Sequence, residues 1–200
     1  SKRNTSQTVY ASMTFAANCM TFTGFSIESM VAKLEGLKVD AIGINCSLGP
    51  VEIYPLAKTM CSLAALPIII KPNAGLPDPN DNSYTITIDE FTQAMKECAD
   101  LGVSMVGGCC GTNPAFIEQL AQVMKPMPIA NNVGQRRQSR VCSATKVVTV
   151  DRVTVIGERI NPTGKKRLKE ALIQEDFDYI LTQVTEQVDA GAEILDVNVG

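Results

Sequence analysis

Apolar positions in the first 125 residues follow two alternating patterns. Short apolar runs predict buried strands at residues 8–16, 39–45, 67–71 and 103–106. Between these runs, apolar residues recur three and four positions apart, which predicts helices with one buried face. The four predicted helical stripes are Ile27/Met30/Val31/Leu34, Ala57/Met60/Cys61/Ala64, Phe91/Ala94/Met95/Cys98 and Phe116/Ile117/Leu120/Val123. Four consecutive strand–helix units predict an α/β fold with a parallel sheet.

The regular pattern stops near residue 126. Proline, asparagine, glycine and a basic stretch at 135–140 indicate a linker over residues 126–151. Beyond it we predict a strand at 153–157, a loop at 158–165, helices at 166–173 and 176–190, and a strand at 193–198. The expected organisation is one domain at 1–125, the linker, and the beginning of a second domain at 152–200.

Four strand–helix units are half of the eight that close a barrel. The expected fold class is therefore α/β: the C-terminal half of a (β/α)8 TIM barrel, a linker, and the start of a second TIM barrel. On this interpretation the chain is an internal fragment of a longer protein. A complete, small doubly wound domain is the alternative.

Composition narrows the classes of partner. The net charge of −3 provides no basic surface, so neither nucleic acid nor an anionic membrane is expected as a partner. No apolar run approaches the ~18 residues of a membrane span, and no secretory signal is apparent. The seven cysteines are odd in number and irregularly spaced, which favours reduced thiols in a cytoplasmic protein.

The chain contains no histidine, which excludes serine and cysteine triads and leaves thiolates as the best metal ligands. Two adjacent cysteines, Cys109 and Cys110, lie between glycines after the fourth predicted strand, and Cys46 follows the second. The carboxyl ends of parallel strands meet at one rim, so the three sulfurs can converge. Zinc, with Zn–S distances of ~2.3 Å, is the metal that such thiolates favour.

Three thiolates on Zn²⁺ leave a fourth position open, where a substrate thiol of ordinary pKa ~8.5 can be held as the thiolate. A structural four-cysteine zinc site is the rival, although the C-x2–4-C spacing typical of it is absent. Cys19 lies on the same rim as a reserve ligand. Cys61 and Cys98 are expected in the core, and Cys142 is expected to have no metal role.

Three motifs carry a resemblance to a known family. Residues 43–46 (Gly-Ile-Asn-Cys), 71–75 (Lys-Pro-Asn-Ala-Gly) and 107–112 (Gly-Gly-Cys-Cys-Gly-Thr) resemble the homocysteine S-methyltransferase family. The segments 157–165 and 191–200 resemble the pterin-binding domain. Two such modules in this order are similar to the cobalamin-dependent methionine synthases.

The resemblance implies a methyltransferase of methionine biosynthesis. It implies that Cys46, Cys109 and Cys110 are the catalytic zinc ligands, which activate homocysteine as the thiolate, and that Asn73 can offer an amide oxygen as a fourth ligand. The methyl group would come from 5-methyltetrahydrofolate through methylcobalamin, which a cobalamin-binding domain or protein outside this chain would hold. The family's first homocysteine-binding loops are not found here, so the fragment alone is expected to be inactive.

A folate site is expected on the second module. Asp196 and Asn198 are two positions apart on a predicted strand and face the same way, where a carboxylate and an amide can match the donors and acceptors of a pterin. The remaining positions that resemble folate contacts are Asn161, Gly164, Lys165 and Lys166. Two alternatives remain: a homocysteine methyltransferase with another donor, such as betaine or S-methylmethionine, and a non-catalytic zinc- or corrinoid-binding module.

Overall fold

The structure, a computed structural model, describes residues 7–81, 83–128 and 138–199. The chain forms two compact units, which are described separately. Unit 1 consists of Ser1–Arg137 and Cys142–Val147, and unit 2 of Gln138–Val141 and Val148–Gly200. The predicted linker of 126–151 is thus shared between the units, and residues 129–137 of it, with the first half of its basic stretch, lie outside the described residues.

Unit 1 is built on a four-stranded parallel sheet. Its strands are β1 (Tyr10–Met13), β2 (Ala41–Asn45), β3 (Ile68–Lys71) and β4 (Met105–Val106). They pair in the order of the sequence, β1-β2-β3-β4, and each pairing is parallel. The order of these described strands contains no reversal, whereas a doubly wound sheet requires one.

A helix follows each strand of this sheet, and each helix packs against the next. The helices are α1 (Ile27–Glu35), α2 (Pro50–Leu63), α3 (Ile88–Asp100) and α4 (Pro114–Met124). Polar caps fix the starts of three of them. Ser26 caps α1, Thr87 forms a reciprocal capping box with Glu90 at α3, and Asn113 caps α4 ahead of a proline in its first turn.

The hydrophobic core lies between the sheet and this layer of helices. Ile42 and Ile44 of β2 and Ile68 and Ile70 of β3 are fully buried there, because alternate residues of a strand point to the same face. On α3, Phe91 meets Phe116 of α4 edge to face, with ring centroids 5.3 Å apart. Burial of these side chains fixes the positions of the strands relative to one another. It therefore also fixes where the loops at their carboxyl ends begin.

The strands β2 and β3 approach unusually closely at Gly43, which is paired with Ile69. A Cβ atom placed on Gly43 would lie 2.2 Å from the carbonyl oxygen of Ile69. Only a residue without a side chain fits at this point of the sheet. The strand then runs two residues further to its end at Asn45.

Several predicted boundaries in unit 1 were wrong. The strand predicted at 8–16 is limited to β1, because Phe15 instead forms an isolated antiparallel bridge with Thr21. The strand predicted at 103–106 has only the two residues of β4. Ile117 was expected inside, but its side chain is 45% exposed because Phe116 and Leu120 already cover the buried face of α4.

Unit 2 contains one β-α-α-β segment. The parallel strands β7 (Ile156–Ile160) and β8 (Ile194–Val197) enclose α5 (Lys166–Ile173) and α6 (Phe177–Asp189) in the sequence. The strand register shifts between Gly157 and Ile160. The backbone N–H of Arg159, which falls in this irregularity, donates to the buried side chain of Gln187 (2.7 Å).

The predictions for the linker and unit 2 need two corrections. The linker is not devoid of structure, since β5 (Arg140–Cys142) and β6 (Val147–Thr149) form a two-stranded sheet in which β-branched valines favour strand. The strand predicted at 153–157 begins three residues later. Val153 is 92% exposed, because pairing with β8 starts at Ile156. None of the helices in the described parts of the chain has the length and apolar character needed to cross a membrane.

Candidate metal centre

Three cysteines from two strand ends meet at the C-terminal rim of the unit 1 sheet. Cys46 follows β2 directly, and Cys109 and Cys110 lie in the loop after β4. Cys46 and Cys109 are half-buried, and Cys110 is exposed. The rim thus presents thiols that face solvent and can receive a ligand from it.

The spacing of the sulfur atoms suits one metal ion. The Sγ atom of Cys110 lies 3.7 Å from that of Cys46 and 4.0 Å from that of Cys109. All three sulfurs lie within 4.8 Å of one another. Tetrahedral ligands at ~2.3 Å from zinc are separated by roughly 3.8 Å, so the cluster has the dimensions of three sites of a tetrahedron.

The turn that carries Cys46 has an uncommon backbone. Cys46 and Ser47 have φ angles of +64° and +65°, in the left-handed region, which costs roughly 1–2 kcal/mol per residue outside glycine. Hydrogen bonds on either side hold the turn. The N–H of Cys46 donates to the carbonyl of Lys71 (3.0 Å), and the N–H of Leu48 donates to the carbonyl of Cys46 (2.8 Å). With this backbone conformation, the Cys46 side chain points towards the other two sulfurs.

The loop after β3 holds the double cysteine in place by its backbone. The N–H of Cys109 donates to the carbonyl of Pro72 (2.7 Å), and the N–H of Ala74 donates to the carbonyl of Cys110 (2.8 Å). Thr112 closes the turn, since its hydroxyl donates to the carbonyl of Cys109 (2.7 Å). The loops after β3 and β4 are thereby joined beside the sulfurs.

Asn73 lies at the centre of these contacts and is 4% exposed. Its Oδ1 atom accepts a hydrogen bond from the N–H of Cys110 (3.2 Å). Its own N–H donates to the carbonyl of Leu48 (2.9 Å). Asn73 therefore links the two cysteine loops, while its use as a fourth metal ligand stays a prediction.

Cys46 and Cys110 differ in how their surroundings shift their pKa values. Burial raises the pKa of Cys46, but the backbone of Ser47 and the side chains of the other two cysteines and Asn73 hydrogen-bond to its sulfur, and the net pKa is lowered. Hydrogen bonds to the other two sulfurs, and then their negative charges, raise the pKa of Cys110. The pKa values of Cys46 and Cys110 therefore shift in opposite directions, although the two sulfurs lie side by side.

Tyr84 is a neighbour of the cluster that the sequence did not reveal. It belongs to the long loop after β3, and its ring covers Gly111, where a Cβ atom would lie 2.4 Å from the Cγ atom of Tyr84. Partial burial raises the pKa of its phenol, and so do the negative charges of the three cysteines and a hydrogen bond to Cys110. An aromatic residue in an otherwise polar loop was the only signal in the sequence.

The remaining cysteines lie apart from this group. Each of the seven cysteines, all within the described ranges, is a free thiol. Cys98 is buried on α3, and burial raises its pKa to about 12, which makes it inert as a thiolate. Cys142 donates through its sulfur to the carbonyl of Ser29 (3.7 Å). Cys19, the predicted reserve ligand, is exposed and is not among the three converging sulfurs.

The residues predicted to bind folate lie at the C-terminal ends of β7 and β8. Asn161 donates to the Glu158 carboxylate and accepts from the N–H of Thr163 (3.0 Å). Lys165 donates to the carbonyl of Arg159 (3.1 Å) and lies 3.6 Å from the carboxylate of Glu158. Glu158 is thus the centre of this group.

Glu158 was overlooked because the predicted strand ended one residue before it. Hydrogen bonding from Asn161, aided by the charge of Lys165, holds the pKa of the Glu158 carboxyl below its ordinary value. A charged residue within a strand as short as β7 was the signal that could have identified it. Its carboxylate is therefore ionised and organises the loop.

The other four predicted folate positions differ in their surroundings. Gly164 adopts a left-handed conformation (φ +71°) in the same loop. Lys166 is turned towards Glu170, one turn along α5, at 3.9 Å. Asp196 is exposed on β8. Asn198 lies just beyond this strand rather than on it, and its N–H donates to the carbonyl of Ile160 (2.8 Å).

The comparison with protein families decides the assignment. The family described as Homocysteine S-methyltransferase matches residues 1–124, which include all three converging cysteines. The chain belongs to this family. The first motif resemblance is thereby confirmed, and a homocysteine S-methyltransferase domain extends from the start of the sequence through α4.

Relatives of this homocysteine S-methyltransferase family member include two mycobacterial proteins. Methionine synthase of Mycobacterium tuberculosis (strain ATCC 25618 / H37Rv) is 34% identical over 199 residues, which cover 94% of this chain and 16% of the relative. Methionine synthase of Mycobacterium leprae (strain TN) is 32% identical over the same span. The chain thus spans about 16% of the length of these relatives, and the likeness continues past the family domain into unit 2.

Solved structures of the homocysteine methyltransferase MmuM from Escherichia coli are also similar. The oxidised form is 25% identical, with a TM-score of 0.42, and the match covers 52% of this chain and 32% of that chain. The metallated form is 26% identical, with a TM-score of 0.40, and the match covers 49% and 29%. These scores are too low to support an argument about the shape of the chain.

Proposed function

We propose that unit 1 carries the thiol-activating zinc site of a homocysteine methyltransferase, with Cys46, Cys109 and Cys110 as ligands. The observation that carries this proposal is the convergence of the three sulfurs, at 3.7 and 4.0 Å, from two separate strand ends. The donor set fits zinc, since thiolates are soft ligands and three of them leave a tetrahedral site open to substrate. Asn73 is proposed as an optional oxygen ligand.

Each residue of the site has a distinct part in this proposal. Zinc, when bound, supplies the positive charge that lowers the pKa of a substrate thiol. The three cysteines hold the metal in a site of net charge −1, which leaves the substrate sulfur nucleophilic. Asn73 fixes the two cysteine loops relative to each other, and the exposure of Cys110 keeps one side of the cluster open to the incoming thiol.

We further propose that the chain is part of a methionine synthase. Similarity to methionine synthases over 94% of the chain supports this, because it includes unit 2 as well as the family domain. In the whole protein, homocysteine would accept a methyl group that originates from 5-methyltetrahydrofolate and passes through methylcobalamin held by another domain. A different methyl donor is the alternative, and it leaves the likeness of unit 2 unexplained.

The two-barrel architecture is proposed on the same grounds. The sequential order of β1 to β4, with consecutive helices packed side by side, is the arrangement of half a (β/α)8 barrel. The β-α-α-β segment of unit 2 would open a second barrel. In both units, the residues proposed to bind zinc or folate lie at or just after the carboxyl ends of the strands, where barrels of this type have their active sites.

Zinc coordination tests the thiol-activating site directly. We expect the zinc-loaded chain to show one additional sulfur neighbour of the metal when millimolar homocysteine is added, as measured by extended X-ray absorption fine structure. Homoserine, which carries a hydroxyl in place of the thiol, is the matched control and should add no sulfur. An unchanged sulfur count with homocysteine would contradict a substrate-activating role and favour a purely structural zinc site.

Unit 2 is proposed to supply part of the folate site, through Asn161, Gly164, Lys165, Lys166, Asp196 and Asn198. Asp196 is the best candidate for recognition, because its exposed carboxylate can accept hydrogen bonds from the pterin ring. We expect the chain to retain 5-methyltetrahydrofolate weakly in equilibrium dialysis and Asp196→Ala to weaken this retention about tenfold, as the loss of a charge-assisted hydrogen bond does. Asp189→Ala, at the end of α6, is the control, and equal retention by both variants would exclude Asp196 from the site.

A further inference from the structure

One face of the unit 1 sheet carries polar side chains just below the cysteine rim. Ile44 and Ile70 are buried on the helix side of the sheet, so the next residues, Asn45 and Lys71, point to the opposite face. Asn45 and Lys71 are register partners on neighbouring parallel strands. Their side chains therefore lie next to each other on this face, and each belongs to the last residue of its strand.

Lys71 is half-buried and lies beside the loop that carries the double cysteine. Its stem passes over Gly107, where a Cβ atom would lie 3.4 Å from the Cγ atom of Lys71. Its carbonyl accepts the N–H of Cys46 (3.0 Å), which joins Lys71 to the other cysteine loop as well. Among the described residues, no carboxylate or other acceptor is bonded to its ammonium group.

Asn45 adds a second donor beside this ammonium group. Its Oδ1 atom accepts the hydroxyl of Ser12 from β1 (2.7 Å), which fixes the orientation of the amide. The Nδ2 atom of Asn45 has no acceptor within the described ranges. Lysine has donors alone, and the oxygen of this amide is already engaged, so the pair can donate to a ligand but offers it little as an acceptor.

We propose that Lys71, assisted by the amide of Asn45, binds the carboxylate of the amino-acid thiol that the metal centre activates. The inference rests on the proposed zinc site. In homocysteine a short carbon chain separates the thiol from the carboxylate, so a molecule whose sulfur is on the metal places its carboxylate a few ångströms away. Donors alone favour the carboxylate over the amino group of the substrate, because a positively charged amine would be repelled by Lys71.

This contact gives the site selectivity among thiols. Zinc binds any thiolate of suitable size, and it does not distinguish an amino acid from a simple aminothiol. A charge-assisted hydrogen bond from Lys71 is available only to a ligand with an acidic group. Lys71 is thus a specificity-determining residue that acts on the substrate and leaves the metal ligands unchanged.

Two thiols separate this role from a general effect on the metal centre. Homocysteine carries the carboxylate, and 3-aminopropane-1-thiol is the same molecule without it. Calorimetric titration of the zinc-loaded chain with each thiol gives the two dissociation constants. We expect Lys71→Met to raise the dissociation constant of homocysteine about tenfold, as loss of a charge-assisted hydrogen bond does, and to leave that of 3-aminopropane-1-thiol unchanged.

Two further variants complete the comparison. Lys71→Arg keeps the positive charge and should bind homocysteine more tightly than Lys71→Met does. Lys58→Met removes an exposed lysine from α2, and we expect it to alter neither dissociation constant. Unchanged binding of 3-aminopropane-1-thiol to Lys71→Met would show that this variant still folds and holds its metal.

A loss in Lys71→Met that is confined to homocysteine supports the proposal. An equal loss for both thiols, or no loss for homocysteine, overturns it while leaving the thiol-binding zinc site in place. Equal affinities of the parent chain for the two thiols overturn it in the same way. If the zinc-loaded parent chain binds neither thiol, the proposed function itself is wrong, and the role of Lys71 is overturned with it.

Discussion

The chain with both Cys109 and Cys110 replaced by alanine is expected to lose its stoichiometric zinc. Two of the three sulfurs disappear, and the single thiol of Cys46 with an amide nearby cannot hold the ion against a chelator. The loss of affinity should exceed the ~10–100-fold that follows removal of an outer-shell partner, since ligands themselves are removed. Metal analysis of the purified chain, before and after dialysis against a chelator, measures the effect.

The matched control for this experiment is Cys61→Ala with Cys142→Ala. It also removes two thiols, but neither belongs to the converging group. We expect this variant to retain one zinc per chain. Retention of zinc by the variant that lacks Cys109 and Cys110 would refute the proposed ligand set. Loss of zinc from both variants would point to a general effect on folding.

Phe91→Ala is expected to cause the largest loss of stability among single substitutions. Phe91 is fully buried, and its ring meets Phe116 at 87° between the ring planes, so truncation removes both apolar burial and an aromatic contact. Phenylalanine-to-alanine changes in a core cost about 3–5 kcal/mol, against a total of about 5–15 kcal/mol for a typical domain. Urea denaturation followed by circular dichroism gives the change in the free energy of unfolding.

Phe22→Ala is the natural control for Phe91→Ala. The side chain of Phe22 is 93% exposed, so the same truncation removes little buried surface. We expect its free energy of unfolding to stay within ~0.5 kcal/mol of the parent value. Similar losses for the two variants would mean that α3 and α4 do not pack in the chain as they do in this structure.

Much of the fold of unit 1 could be predicted because the spacing of its apolar residues indicates which side chains are buried. The stripe of Phe91, Met95 and Cys98 repeats with the helical period, and the isoleucines of β2 and β3 form runs too apolar for a surface. Strand ends were less predictable. Phe15 and Val103 read as strand residues, yet backbone pairing decides whether a strand continues, and pairing depends on partners far away in the sequence.

The candidate metal site was predictable for a different reason. Two adjacent thiolates can bind one soft metal ion, and the parallel sheet brings Cys46 to the same rim whatever the detailed packing. Tyr84 and Glu158 were not predictable in this way. Tyr84 lies beside the double cysteine because of the course of a long loop, and Glu158 lies among the folate candidates of unit 2, on a strand whose register is shifted.

The close approach of β2 and β3 at Gly43 links this position in the sheet to the geometry of the candidate metal centre. Any side chain there must push the carbonyl of Ile69 away, and the gap would open along the sheet towards Cys46, three residues further on. The sulfur of Cys46 would then move away from the pair that β3 holds through Pro72. The residue types tolerated at position 43 are therefore limited by the sulfur positions that the candidate metal site needs, as well as by the packing of the sheet.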